Sequence, residues 1–284
     1  MRSIRFAFRP VIPAIAIMAM LAGGDAAQAQ GKLEAQYMVT LAGIPVGKGR
    51  WTIEIADDRF TATASGATAG LLRVFAPGEG NSSAQGVMVG GTPVSTIFSA
   101  IITADKTTEE FRMTVEGGNV KDLSVVPSPP PNSERVPLTE AHRRGVNDPM
   151  TASLIRVPGN INLMGPEACQ RTLSVFDGRM RYDLQLSYKR VDQIRADKGY
   201  AGSAVVCAVN FMPIAGHNPN RAAIKYLINL RETELWLAPI AGTRVVVPYR
   251  VSIPTPIGLG IMQATEFVAV AQPARTTSAS AKNQ

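Results

Sequence analysis

The chain has 284 residues, of which 45% are hydrophobic and only 18% charged, so it carries enough apolar surface for a core and too little charge to stay unfolded. Its formal charge of +7 is mild for that length and excludes the dense basic footprint of a nucleic-acid binder. Twenty-five glycines and twenty prolines among so few charged residues exclude a bundle of long helices and point to a β-rich chain.

Residues 1–29 read as a secretory signal. Arg2, Arg5 and Arg9 form a positive start, Val11 to Ala22 an apolar stretch, and Ala27-Gln28-Ala29 an A-x-A cleavage site. The apolar stretch is too short for a membrane helix, which needs about 18 residues, and Pro13 interrupts it. The mature chain then begins at Gln30 in the periplasm, with no transmembrane span. Losing Arg2, Arg5, Arg9 and Asp25 lowers the formal charge from +7 to +5.

Strand patterning starts at once. Tyr37, Val39 and Leu41 alternate on one face of a first strand, and Trp51, Ile53 and Ile55 on one face of a second. Ala42 to Gly47 is a turn-rich link between them, and Asp57-Asp58 is the next turn. Ala67 to Val74 is open between a short helix, a lid over a pocket and a buried connector. Strands resume over 82–89, 93–102, 106–115 and 119–126, with Gly90-Gly91 and Gly117-Gly118 as hairpin turns. Pro127 to Ser133, with four prolines, breaks the pattern as an extended loop and runs into the basic stretch Arg135 to Arg144. Asp148-Pro149 is a helix start, with Asp148 as N-cap and Pro149 at the first helical position. Val157-Pro158-Gly159 ends that helix early.

The central unit lies between Cys169 and Cys207, the only cysteines. In an oxidising compartment two cysteines pair, so a Cys169–Cys207 disulfide is expected. Between them, Asp177-Gly178 is the turn former of a hairpin. A two-residue loop would set Phe176 opposite Arg179, Val175 opposite Met180 and Leu173 opposite Tyr182. Alternation then gives a dry face of Met180, Tyr182, Leu184, Leu186 and Tyr188 and a wet face that includes Arg179, Arg181 and Asp183. Cys207 shares a face with Val205, Val209 and Phe211 and points inward. A second short helix is read in the stretch His217 to Leu227, and strands return over 233–239, 244–253 and 259–270. Residues 271–284 are a polar, disordered tail. The whole is expected to be mainly β: one domain from 30 to 270, a curved antiparallel sheet or partly open barrel or β-roll, with two or three short helices.

Four stretches together resemble the domain-of-unknown-function 3108 family of exported bacterial β-rich proteins. They are Tyr37-x-Val39-x-Leu41-x-Gly43-Ile44-Pro45-Val46-Gly47, Asp148 to Ala152, Val175 to Leu184, and Cys207 to Phe211 followed by Pro213 to Gly216. The resemblance implies a periplasmic protein with a curved antiparallel sheet. It carries over no catalytic residue, because the family has no established function.

The search for chemistry is short. His142 and His217 are the only histidines, and neither has a nearby ligand to begin a zinc site, so no metal or other cofactor is expected. No G-x-S-x-G, P-loop or G-x-G-x-x-G occurs. Arg179, Arg181 and Asp183 are a candidate face for an anionic ligand, set against the simpler reading of exposed ion pairs. The leading expectation is a non-enzymatic protein that binds a lipid, a glycolipid or an envelope protein. A hydrolase with dispersed active-site residues is the alternative, and a scaffold with an open sheet edge a third class.

Overall fold

A computed structural model of the protein describes residues 30–70, 73, 76–130, 132–159 and 162–272. The expected signal segment, most of the expected C-terminal tail and the central residues of the Ala67–Val74 segment lie outside the described residues.

Strands β1 (Gly31–Leu41), β2 (Ile44–Ile55), β3 (Arg59–Thr68), β4 (Gly78–Val89), β5 (Thr92–Ala104), β6 (Thr107–Glu116) and β7 (Asn119–Val126) form the first meander. The second comprises β9 (Arg171–Phe176), β10 (Arg181–Arg195), β12 (Ala201–Ala215), β13 (Glu234–Pro239), β14 (Val245–Thr255) and β15 (Gly258–Ala271). Two short strands are added, β8 (Ile155–Arg156) beside β14 and β11 (Lys198–Gly199) beside β15. Helix α1 is Pro149–Ala152 and helix α2 is Ala222–Asn229. The first and last strands, β1 and β15, pair antiparallel and fuse the two meanders into one sheet of fifteen strands, with β7 and β9 at its edges.

The local reasons are those read from the sequence. Gly90-Gly91 and Gly117-Gly118 have positive φ at both positions, as a two-residue hairpin turn requires. Trp51, Ile53 and Ile55 are buried on one face of β2, with Leu33, Ala35 and Tyr37 beside them on β1. These residues join Phe60, Phe98, Phe111, Met113, Phe176, Trp236, Tyr249 and Phe267 in one core that draws on both meanders. The β1–β2 turn is shorter than its composition suggested. Ala42 and Gly43 both take positive φ, and β2 begins at Ile44.

β12 is buried on both faces. Ala204 and Val206 belong to the main core, whereas Val205, Cys207 and Val209 belong to a second cluster with Leu186, Leu235, Leu237 and Val246. That second face lies beneath a strap carrying Ile155, Val157, Ala168 and Cys169. The Cys169–Cys207 disulfide, with Cα atoms 5.4 Å apart, pins the strap to the sheet. Cys207 thus points inward, into this second cluster and away from the main core.

The edges are joined by a crossing segment instead of strand pairing. The Val146 N–H donates to Gly118 O at the β6–β7 turn, while the Asn147 N–H donates to Ser174 O and the Phe176 N–H to Asn147 O. Residues 146 and 147 therefore staple one edge of the sheet to the other.

Candidate functional site

The central hairpin departs from the two-residue reading. β9 and β10 pair Phe176 with Arg181, Val175 with Tyr182 and Leu173 with Leu184, so Asp177 to Met180 form a four-residue loop. The cause is the Asp177 side chain. Its Oδ1 accepts the N–H groups of Arg179 and Met180 at 2.8 and 2.7 Å, and only Gly178 takes a positive φ, +93°. A shift of two residues keeps each side chain on its expected face. The polar face is nevertheless not a solvent face: Arg181 and Asp183 share it with Phe176, and their side chains are only 11% and 17% exposed.

The loop packs on the opposite edge of the sheet. A Cβ at Gly178 would press on Phe111 of β6 and Leu123 of β7. A Cβ at Gly216, where φ is +81°, would collide with the Arg179 carbonyl oxygen. Arg179 reaches across the seam, with Nη2 2.6 Å from Glu109 Oε1 and its guanidinium 5.1 Å from the centre of the Phe111 ring. Arg181 instead bonds Asp183 at 2.6 Å and Tyr182 O, and Ser174 donates to the same Asp183 oxygen. The two arginines thus do not converge, and each faces a protein carboxylate. Beside them the Pro-rich loop, with Arg135 and Leu138, walls a cleft of about 500 Å³.

The histidines are placed apart. His142 Nδ1 accepts the Thr139 N–H at 3.1 Å and closes the first turn of a 3-10 helix over Glu140–Arg143. His217 is buried, and its carbonyl accepts the Val136 N–H. Among the described residues, no group of three or more His, Cys, Asp or Glu side chains is arranged to hold a metal ion, and no helix is long and apolar enough to cross a membrane.

A charged network that sequence reading missed links β10 and β13. A bulge at Lys189 puts that residue and Arg190 side by side, and both reach Glu234, Arg190 by two bonds of 2.9 and 3.0 Å. Arg190 Nε also bonds Asp192, whose Oδ2 accepts the Trp236 indole N–H at 2.9 Å. Hydrogen bonding from Arg190, with Lys189 assisting, holds the Glu234 carboxyl down at about 2, against the opposing effect of burial. A carboxyl lowered on folding stabilises the native state above its ordinary value of 4.5 and loses that contribution as pH falls toward 2. Glu234→Gln should therefore lower the denaturant midpoint at pH 7, and the gap from the unaltered protein should close as the pH is taken down to 3. A gap that stays constant with pH would remove Glu234 from the acid response.

A second feature concerns exposure. At one end of the sheet, the β1–β2 and β14–β15 turns lie together, with the Ala42 N–H donating to Leu259 O at 3.0 Å. Tyr226 of α2 donates to Pro254 O and brings the helix to the same rim. Here Ile257 is 73% exposed and Ile44 60%, with Leu259, Tyr226 and Ile228 also exposed. Arg221 and Lys225 stand exposed on the α2 segment, and neither has a carboxylate partner among the described residues. Arg231 closes the C-terminus of the helix by donating to Ile228 O at 2.7 Å.

No curated protein matches the sequence. Among solved structures, the chain resembles a β-barrel-like protein of domain of unknown function DUF1849 from Brucella abortus. The likeness has 8% identity and a TM-score of 0.45 over 86% of this chain and 99% of that one. The family model described as protein of unknown function (DUF3108) matches residues 36–265, spanning all four stretches that carry the resemblance, and the chain belongs to that family.

Proposed function

We propose that the protein is an exported, non-enzymatic binder of anionic amphiphiles of the cell envelope, and that it engages them through the apolar rim. The observation that supports this reading most is the exposure of Ile257 and Ile44 beside Leu259, Tyr226 and Ile228. Large apolar side chains grouped at one end of a fold, with polar surroundings, mark a surface that meets another apolar phase. The unpaired cations Arg221 and Lys225 select the occupant: tails contact the isoleucines while anionic head groups meet the basic helix. The leader over 1–29 supports export, and the rim gives an exported chain a reason to stay at a lipid surface.

The test is co-sedimentation with vesicles of phosphatidylglycerol and, in parallel, of phosphatidylcholine. Binding to the anionic vesicles that weakens with salt is the expected result. The double variant Ile44→Ser/Ile257→Ser should lose most of it while changing stability by less than about 0.5 kcal/mol, since both side chains are exposed. Native mass spectrometry separates the two lipid sources: a protein ion retaining one lipid means capture of single molecules, and a bare ion with vesicle binding means surface docking. Equal recovery of the protein and the double variant, or none with either vesicle, would reject the rim.

A further inference from the structure

We infer that the cleft between β10, β13 and β14, which shares no lining residue with the rim, is a binding site for a compact anionic group, a carboxylate or a phosphate. The cleft has a volume of about 420 Å³ and is lined by Asp192, Ile194, Trp236, Tyr249, Arg250 and Gln263, among others. Its construction depends on a second bulge. The pairing of β13 with β14 shifts between Trp236 and Leu237, which leaves Tyr249 as the extra residue next to Arg250. A regular strand would send those two side chains to opposite faces; the bulge lets both line the same cleft.

Two arginines that line the cleft, Arg195 and Arg250, have no carboxylate partner among the described residues, and of the two only Arg250 is part-buried. Lys189 and Arg190 are taken up by Glu234 and Asp192. Asp192 also accepts the Trp236 indole N–H, and its negative charge in the cleft is offset by the Arg190 guanidinium 2.9 Å away. Arg250 has no such partner. Its guanidinium lies 4.8 Å from the centre of the Trp236 ring, and its one hydrogen bond goes to a neutral acceptor, Gln263 Oε1, at 3.2 Å. Its Nε is buried and makes no hydrogen bond. Tyr249 is 1% exposed, and its hydroxyl is likewise buried without a partner. Buried donors left unmade are costly, and a site that holds two of them beside an uncompensated charge is completed by an anion. Contact with the Trp236 ring holds the guanidinium in place, and a planar guanidinium suits the two-point recognition of a carboxylate or phosphate.

The test follows the indole N–H of Trp236 by NMR, separated from that of Trp51 with a Trp51→Phe sample. Inorganic phosphate and acetate are titrated in turn, with chloride holding the ionic strength constant. A saturable shift of the Trp236 signal is expected, and the anion that binds more tightly names the class. Arg250→Gln should weaken binding about tenfold or more, the equivalent of one charge-assisted hydrogen bond. Because that change also removes the contact with Trp236, Tyr249→Phe serves as a second variant that deletes only a hydroxyl, and it too should weaken binding. The rim change Ile44→Ser/Ile257→Ser should leave the titration unaltered, so failure of the rim and failure of the cleft are read separately. No saturable shift with either anion, or unaltered affinity in Arg250→Gln or Tyr249→Phe, would overturn the site.

Discussion

Replacing both cysteines, Cys169→Ala with Cys207→Ala, is expected to lower the stability of the protein by about 4 kcal/mol, since the bridge spans 38 residues of chain. That is a large share of the roughly 5–15 kcal/mol by which folded domains are stable. The loss has a second component specific to this fold. Cys169 ends the strap whose Ile155, Val157 and Ala168 cover Val205, Leu235, Leu237 and Val246. With the bridge gone, the strap keeps its apolar contacts and the short β8 pairing with β14, but nothing covalent holds it down. Under native conditions the double variant should therefore bind a hydrophobic dye more strongly than the oxidised protein. Urea unfolding with and without reductant, followed by dye binding in buffer, measures both parts. A stability loss below 1 kcal/mol would mean that the bridge restricts the unfolded chain little. A full loss without dye binding would assign the effect to chain entropy alone.

The stretch from Ala204 to Met212 reads in the sequence as alternating, with one inward face, whereas Ala204 to Cys207 are buried on both faces. A strand half exposed to water alternates, and four consecutive buried residues mean that both faces are covered. The glycine pairs were readable, because both turn residues needed positive φ and only the local backbone decided it. Asp177-Gly178 carried the same kind of signal but another outcome. A carboxylate that caps two N–H groups stabilises a four-residue loop, and Gly178 is needed for its close approach to Phe111. The turn at Asp105-Lys106 takes positive φ at both positions without any glycine, so its sequence gave no warning. Least legible was what joins distant segments. The pairing of β1 with β15, the stapling of the edges by Val146 and Asn147, and the bulges that bring Arg190 and Arg250 to Trp236 depend on partners dozens to hundreds of residues apart. Local periodicity reports which face of a strand is apolar; it carries no term for which strand lies next to it.

Asp148→Ala is expected to cost about 3 kcal/mol, far more than the roughly 1 kcal/mol of an ordinary helix cap. Asp148 is fully buried, and its Oδ1 accepts the N–H groups of Met150 and Thr151, both at 2.9 Å. Its Oδ2 accepts the Thr151 hydroxyl. Alanine leaves all three donors without a partner, in a place where water does not reach them. Asp148→Asn retains an acceptor for the two N–H groups and should cost about half as much. The damage should also be localised. Asp148 sets the start of α1, whose Met150 lies in the main core, and it directly follows the Val146-Asn147 staple that joins β7 and β9. Hydrogen exchange should then speed up at Asn147 and Phe176, whose amides make the staple, well before it does in the β1–β15 ladder. Equal acceleration across the sheet would mean that the carboxylate supports the fold as a whole. Unaltered exchange at Phe176 would mean that the edges hold together through the Arg179–Glu109 clasp without the staple.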